Sequence, residues 1–522
     1  MAPADTPSRL RSVWNAVRGH APAAAPLVPA PARRAHRPSI ARRSYNAAAV
    51  NNLTASFGGD PTPLNLQLER ALRLMRNRSR DLAKNNDYVK KFFRMVQNHV
   101  VGPNGFVLSV PCLRNDGSID EIDKAVCEKA FARWAKRGVC DVTGRLSWTQ
   151  VQRLLILLCA RDGEFLVRRI AQRGINEFGY ALQVLDPVLL DENYRQDFTD
   201  GTRIRMGVET NAWGRPVAYH LLSDVESAFG GQRIRVPASE IWHGFLQEEP
   251  TQVRGVPWIH SAMRRLNDLG GYEEAAVIAA RVGASNMGFY IPPAESTGDN
   301  AALHADQVVT GTDADGNTAT ELVRDATPGT FEELPPGYDF KQFDPDYPHA
   351  NFDNFVKAML RGVASGIGAD YNTLANDLEG VNYSSIRSGK LETQDEWMCL
   401  QGWFRECVHE PLWPEWLGMA FLSGQLAGLP VSKAAKYECA VWQGRRWPWV
   451  DPLKDTEARV LELQHGLTSY SAVMRELGRD PEAVWRELEK DKARLKDLLP
   501  PPPPPASSAG GPASGPAQGE PQ

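Results

Sequence analysis

The chain of 522 residues is 42% hydrophobic and 23% charged, a globular composition with length for about three structural units. Its 59 basic and 63 acidic side chains leave a net charge of −4, so no overall basic field argues for nucleic-acid binding. The most apolar run, residues 154–158, stops at Arg161, far short of a membrane-spanning helix.

The first residues carry Arg9, Arg11 and Arg18 without an apolar stretch, which predicts no signal peptide. Residues 1–43 mix Ala and Pro with Arg33, Arg34, Arg37, Arg42 and Arg43 against one acid, Asp5, and read as a solvated basic arm. Helical spacing follows in Leu68, Leu72, Met75, Leu82, Val89, Phe92, Phe93 and Val96. Ser118 with Glu121 suggests a capping box over a helix burying Ile122, Val126, Ala130 and Trp134, and Ser147 with Gln150 repeats the signal. From Gly163 the period shortens, predicting strands at 165–170, 180–185, 204–208, 217–221 and 234–236. Residues 257–284 read helical, interrupted at Gly270-Gly271. Strands at 287–291 and 338–343 then flank a polar loop. A short helix with Phe352, Phe355, Val356, Met359, Leu360 and Val363 precedes the polar stretch 372–383. A helix over 384–408 should end before Pro411 and Pro414. After Pro452 the chain reads helical to Leu499, and six prolines from Pro500 open a flexible tail. The order is that of an α+β chain with a small insertion between two helices.

No catalytic constellation stands out. There is no G-x-x-x-x-G-K-[ST] to cradle phosphates, no G-x-S-x-G and no H-E-x-x-H. The ten histidines form no i, i+4 pair, and the seven cysteines form no C-x-x-C, so reduced thiols and no structural zinc or cofactor are expected. Asp313-Ala314-Asp315-Gly316 hints at a calcium loop but places Leu322 where the bidentate glutamate belongs, so a plain turn is expected. Tryptophans crowd the chain at Trp397, Trp403, Trp413, Trp416, Trp442, Trp447 and Trp449, fit for a core or for a large subunit interface.

Several long segments carry more than composition. They include SYNAAAVNNLTASFGG at 44–59, NHVVGPNG at 98–105, ARDGEFLVR at 160–168, QVRGVPWIHSAM at 252–263 and GGYEEAAVIAARVGAS at 270–285. The run PGTFEELPPGYDFKQFDPDYPHANFDNFVKAMLRGVASGIGADYNTLANDLEGVNYSSIRSG at 328–389 and WQGRRWPWVDPLKD at 442–455 continue them. Over about residues 44–480 the chain resembles the portal proteins of tailed bacteriophages, lambda family. The resemblance implies a non-enzymatic ring of about twelve copies at one capsid vertex. Such a ring nucleates procapsid assembly, docks the terminase large subunit, passes double-stranded DNA without sequence specificity, and joins head-tail completion proteins. Major capsid and scaffold proteins are further implied partners, and the implied location is the virion, with assembly in the host cytoplasm and no membrane.

By that resemblance residues 1–43 are a disordered basic arm and 44–256 a wing of helices and antiparallel sheet. Residues 257–286 and 346–371 are stem helices around a clip at 287–345. A tunnel loop at 372–383, a long helix returning into the wing at 384–451, a helical crown at 452–499 and a disordered tail at 500–522 complete the chain. The stem residues are Met263, Leu266, Tyr272, Phe352, Phe355 and Met359. The loop facing DNA comprises Asn372, Asn376, Asp377, Glu379, Gly380 and Asn382, acids and amides that would let a duplex slide. Trp397, Trp403, Trp442, Trp447 and Trp449 are the core or interface aromatics. The competing reading is a DNA-binding structural or regulatory protein, on the helix–turn–helix pattern at 467–489. Against it, Glu482, Glu487 and Glu489 would repel phosphate. A hydrolase with an unrecognised site is the third class, and no nucleophile–base spacing supports it.

Overall fold

The computed structural model describes residues 62–223, 232–284, 288–291, 308–312, 318–322, 339–342, 351–380, 383–447, 452–479 and 481–498. The basic arm, the Pro-rich tail, the DADG turn, Asn382 and Trp449 lie outside the described residues.

Helix α1 (Leu64–Asn85) turns Leu68, Leu72, Arg76 and Ser79 inward at helical spacing. Asn86 ends it and caps α2 (Asp87–Val96), its side chain accepting the Val89 N–H at 3.1 Å. A wide π turn, Gln97–Val101, closes at Gly102 with φ 78°. Strand β1 (Val107–Ser109) leads to α3 (Glu121–Trp134). The cap of α3 is Asp120, not Ser118, because Asp120 accepts the Asp123 N–H and also receives Lys436 Nζ at 2.7 Å. Ser118 instead bonds Asp116. Ile122, expected in the core, is 72% exposed, and α3 buries Cys127, Ala130, Phe131 and Trp134. Helix α4 (Trp148–Asp162) starts on the expected Ser147–Gln150 capping box and ends at Gly163.

Two antiparallel sheets follow. Strands β2 (Glu164–Ala171), β3 (Tyr180–Leu185) and, later, β9 (Ile241–Phe245) pair in the order β3-β2-β9. Strands β4 (Gln196–Asp197), β5 (Arg203–Arg205), β6 (Val208–Thr210), β7 (Pro216–Leu222) and β8 (Arg233–Pro237) form a meander. The single strand expected at 204–208 is two strands, because Met206 and Gly207 take positive φ and reverse the chain. β9 was not anticipated.

Helix α5 (Met263–Ala284) begins six residues later than Pro257 and runs without interruption through Gly270-Gly271. Strands β10 (Gly288–Ile291) and β13 (Asp339–Gln342) pair with each other. Between them β11 (Val308–Thr312) and β12 (Thr318–Leu322) form a hairpin inside what was expected to be a polar loop. Helices α6 (Phe352–Ile367), α7 (Tyr371–Ala375) and α8 (Tyr383–Phe404) follow. A second π turn, Arg405–His409, joins α8 to α9 (Glu410–Leu422). The helical path therefore continues through Pro411 and Pro414, against expectation. In the widened turn Glu410 N–H reaches the fifth preceding carbonyl, Arg405, and Pro411 falls in the turn just after it.

A short helix α10 (Ala434–Tyr437) precedes β14 (Val441–Gln443), which pairs with β1 and so ties the two ends of the body together. The C-terminal run is three helices, α11 (Pro452–Gln464), α12 (Tyr470–Glu476) and α13 (Pro481–Leu498). The largest hydrophobic core gathers α2, α3, α4, α8 and α9 around Phe131, Trp134, Trp148, Phe404, Trp413 and Trp416. No described helix is long and apolar enough to cross a membrane.

Candidate functional site

Helices α5 and α6 lie antiparallel, as three contacts show in turn. Ser261 Oγ donates to the Gly366 carbonyl at 2.8 Å, Arg265 packs over Gly362, and Tyr272 stacks on Phe352 at 5.5 Å and meets Phe355 edge-on at 4.9 Å. At 1.5 Å per residue the 22 residues of α5 span about 33 Å. Of the six expected stem residues, Met263 and Leu266 are buried at the base of the pair. Tyr272, Phe352 and Phe355 form the aromatic contact further out, and Met359 is half-buried. Val277, Ile278 and Phe355 each leave about half of their surface exposed.

The polar stretch beyond α6 is less loop-like than its composition suggests. Asp370 caps α7, its Oδ2 accepting the Thr373 N–H at 2.8 Å and hydroxyl at 2.7 Å. Asn372 therefore sits in a helical turn, and its carbonyl accepts the Asp377 N–H. Leu374 anchors the turn in the core. Asn376 takes φ 55°, a conformation asparagine tolerates, and its side chain accepts from Lys91 Nζ at 2.5 Å. Asp377 accepts the Tyr371 hydroxyl at 2.7 Å, and this bond first, with the Glu379 N–H, holds its carboxyl below the usual range. Burial and Asp377 together push the Tyr371 hydroxyl up to about 12. Glu379 accepts from Lys357 Nζ at 2.9 Å, and Lys357 also holds Asp353 at 2.7 Å. These two carboxylates push the Lys357 ammonium above its ordinary value, Asp353 most. Arg361 lies over the Tyr371 ring at 5.3 Å. Gly380, at φ 67°, faces open space.

The segment itself contains no Lys or Arg, but α6 and α2 bring Lys357, Arg361 and Lys91 to it. Of its two described carboxylates, Glu379 is ion-paired to Lys357 and Asp377 is held by the Tyr371 hydroxyl.

Of the aromatics, Trp397 and Trp442 are buried within the chain's own core, and Trp403 and Trp447 are half-buried against it. Trp447 donates its indole N–H to His99 Nδ1 at 2.9 Å, while Trp397 stacks on the same imidazole at 5.4 Å. Gln401 clamps both sides, donating to the carbonyls of His99 at 2.8 Å and Arg445 at 3.0 Å. These four tryptophans therefore build the core that joins the π turn after α2 to the strand leading into the C-terminal helices.

The family model described as phage portal protein, lambda family, matches residues 51–401. The chain belongs to that family. The probable portal protein of Halomonas phage phiHAP-1 is 34% identical over 478 residues, which is 90% of each chain. Portal protein B of Escherichia phage lambda is 21% identical over 455 residues, covering 80% of this chain and 84% of that one. Among solved structures, a chain in the neck of an empty GTA particle overlays with TM-score 0.39 at 15% identity. It covers 82% of this chain and 98% of that one.

Within the matched span, this portal-family chain holds a charged cluster that sequence reasoning did not single out. Glu164, fully buried at the start of β2, receives Arg254 Nε at 2.9 Å and Nη2 at 2.5 Å, Arg76 Nη2 at 3.0 Å, His243 Nε2 at 3.0 Å and the Gly255 N–H at 3.0 Å. Burial alone would raise its carboxyl. Arg254, His243 and Arg76 outweigh burial and hold it well below the ordinary carboxylate range. Arg254 is itself fully buried and also donates to the carbonyls of Met206 at 2.7 Å and Leu190 at 3.2 Å. The cluster locks α1, both sheets and the approach to α5 to one another. The available signal was the pair of segments ARDGEFLVR and QVRGVPW, whose buried charges meet here.

Proposed function

We propose that this portal-family chain forms a closed ring of about twelve copies at one capsid vertex, through which double-stranded DNA enters and leaves the head. The role is structural. The fuel chemistry belongs to a terminase large subunit that docks on the ring, and scaffold, major capsid and head-tail completion proteins are its other partners. The ring belongs to the virion, and it assembles in the host cytoplasm.

Family membership carries this reading, and the geometry supports its parts. In this reading the antiparallel pair α5 and α6 is the stem, with β10–β13 inserted between its helices as the clip. The segment 372–383 is the tunnel loop, and α11–α13 are the crown. The half-exposed Val277, Ile278 and Phe355 on the helix pair suit packing against a neighbouring copy. The loop carries Asp377 and Glu379, the latter paired with Lys357, and no cation of its own, so a duplex would meet no phosphate-binding collar there. Arg486 of α13 pairs with Glu121 of the body at 2.9 Å, which speaks against a free DNA-reading helix there. The test is packaging: proheads assembled with this chain should convert DNA to a nuclease-protected form when terminase and ATP are added. Proheads lacking it should not. Equal protection in both would overturn the proposal.

A further inference from the structure

Helices α1, α2 and α4 enclose a crevice of about 490 Å³. Its walls carry Arg80, Lys84, Lys90, Arg94 and Arg161 against a single acid, Asp186, and Ala83, Phe93 and Leu157 give it an apolar floor. Two of these cations are already engaged. Arg80 holds Asp162 at 2.8 and 2.9 Å and Asp186 at 2.7 Å, and Arg161 holds Asp162 at 3.1 and 2.7 Å. Lys84, Lys90 and Arg94 are exposed, and no ion pair holds them among the described residues.

The opposite side of α2 faces elsewhere. There Tyr88 donates to Glu273 of α5 at 3.1 Å, Lys91 reaches Asn376, and His99, just past the helix, stacks on Trp397 of α8. Helix α8 buries Trp397 and Phe404 toward the body. Its outer face carries Leu391, Glu392, Asp395 and Cys399, all exposed, with no ion pair on either acid among the described residues. Two acids three residues apart beside an exposed leucine form a short acidic and apolar stripe on one helix face.

We propose that the outer face of α8 in one copy docks in the α1–α2–α4 crevice of the next. Glu392 and Asp395 meet Lys84, Lys90 and Arg94, and Leu391 enters over Phe93 and Leu157. The inference rests on the ring reading above. Two observations carry it. The patches are complementary in charge and in apolar content, which favours a protein helix over bare phosphate as occupant. They also lie on different sides of α2, so the contact is heterologous, the kind that closes rings rather than pairing two copies face to face.

The test uses the full chain and measures particle mass in solution. Wild type that forms no ring would defeat the ring reading itself, whatever the crevice does. If wild type forms rings, Glu392→Lys/Asp395→Lys and Lys84→Glu/Lys90→Glu should each weaken subunit association about tenfold or more. The four changes together should restore it. Unaltered circular dichroism guards against misfolding. Rings untouched by either reversal, or no recovery in the combined variant, would overturn the proposal. So would a crevice reversal that lowers affinity for a DNA duplex while leaving particle mass unchanged. Independently, Lys90→Cys should cross-link to the native Cys399 with a short bismaleimide, in a background with Cys407 and Cys439 changed to Ser. A ladder of covalent multimers supports the contact, and monomer alone contradicts it.

Discussion

Gly163 and Gly255 meet backbone to backbone. A Cβ on Gly255 would stand 2.0 Å from the Gly163 carbonyl oxygen, and one on Gly163, where φ is 92°, would stand 2.6 Å from the Val256 carbonyl carbon. No rotamer relieves a clash with main chain, so both positions require glycine. Their contact lets the start of β2 approach the segment before α5 closely enough for the Gly255 N–H to reach Glu164.

Gly255→Ala should therefore destabilise the fold by about 3 kcal/mol, the upper end of overpacking costs, because main chain cannot move aside as a side chain can. Gly271→Ala, on a helix with open space around the added methyl, should be neutral or stabilise by up to about 1 kcal/mol. Urea unfolding of the two variants checks both the sign and the contrast.

The buried cluster gives a second expectation. Glu164→Gln leaves Arg254 and Arg76 enclosed with less than their compensating charge. The loss should be about 3–5 kcal/mol. Replacing an exposed acid such as Glu406, whose side chain is 64% exposed, should cost under about 1 kcal/mol in the same assay.

Stability should also fall on mild acidification. Burial, with Arg445 nearby, lowers the His99 imidazole to about 4, and burial lowers His409 to about 3. Both are depressed below the ordinary histidine value, so the unfolded chain binds protons that the folded chain refuses. The stabilisation is complete above about pH 6.5 and is lost as pH falls from there toward the folded values. Trp447 can only donate, so His99 Nδ1 must stay unprotonated to accept it. His99→Asn should flatten the slope of unfolding free energy between pH 7 and 5, since an amide keeps an acceptor but does not titrate. An unchanged slope would show that His99 does not contribute to the acid sensitivity.

What the sequence made legible was local. The run 180–185 is a short apolar stretch between Gly179 and Asp186 and is a strand over those same residues, and Ser147–Gln150 is a complete capping box within four positions. The α3 cap was misplaced because Asp120 is held by Lys436, 316 residues away. Strand β9 escaped notice because His243 and Gly244 break its apolar run, so the segment shows neither alternation nor a continuous apolar stretch. The same limit applies at the candidate site. The polarity of 372–383 was readable, but the lysine that pairs with Glu379 lies 22 residues upstream on another helix. The Glu164–Arg254 pair spans 90 residues. The portal family itself was recognisable from long ordered segments, which carry such distant pairings without revealing them.

For the segment proposed to line the channel, Glu379→Lys is the informative change, because the Glu379 side chain is 81% exposed and α7 does not depend on it. It places a new cation beside Lys357 in every copy. Rings should form normally, while DNA packaging slows, with the defect easing as salt rises. Glu379→Gln should package normally. Unaltered filling by the Lys variant would mean that this segment does not line the channel.

Ring formation is the decisive property, and the most direct measurement is imaging of the purified full-length chain by electron microscopy with two-dimensional averaging. Closed rings of about twelve subunits around a central channel are expected. A monodisperse monomer at high protein concentration, across low and high salt, would contradict this expectation.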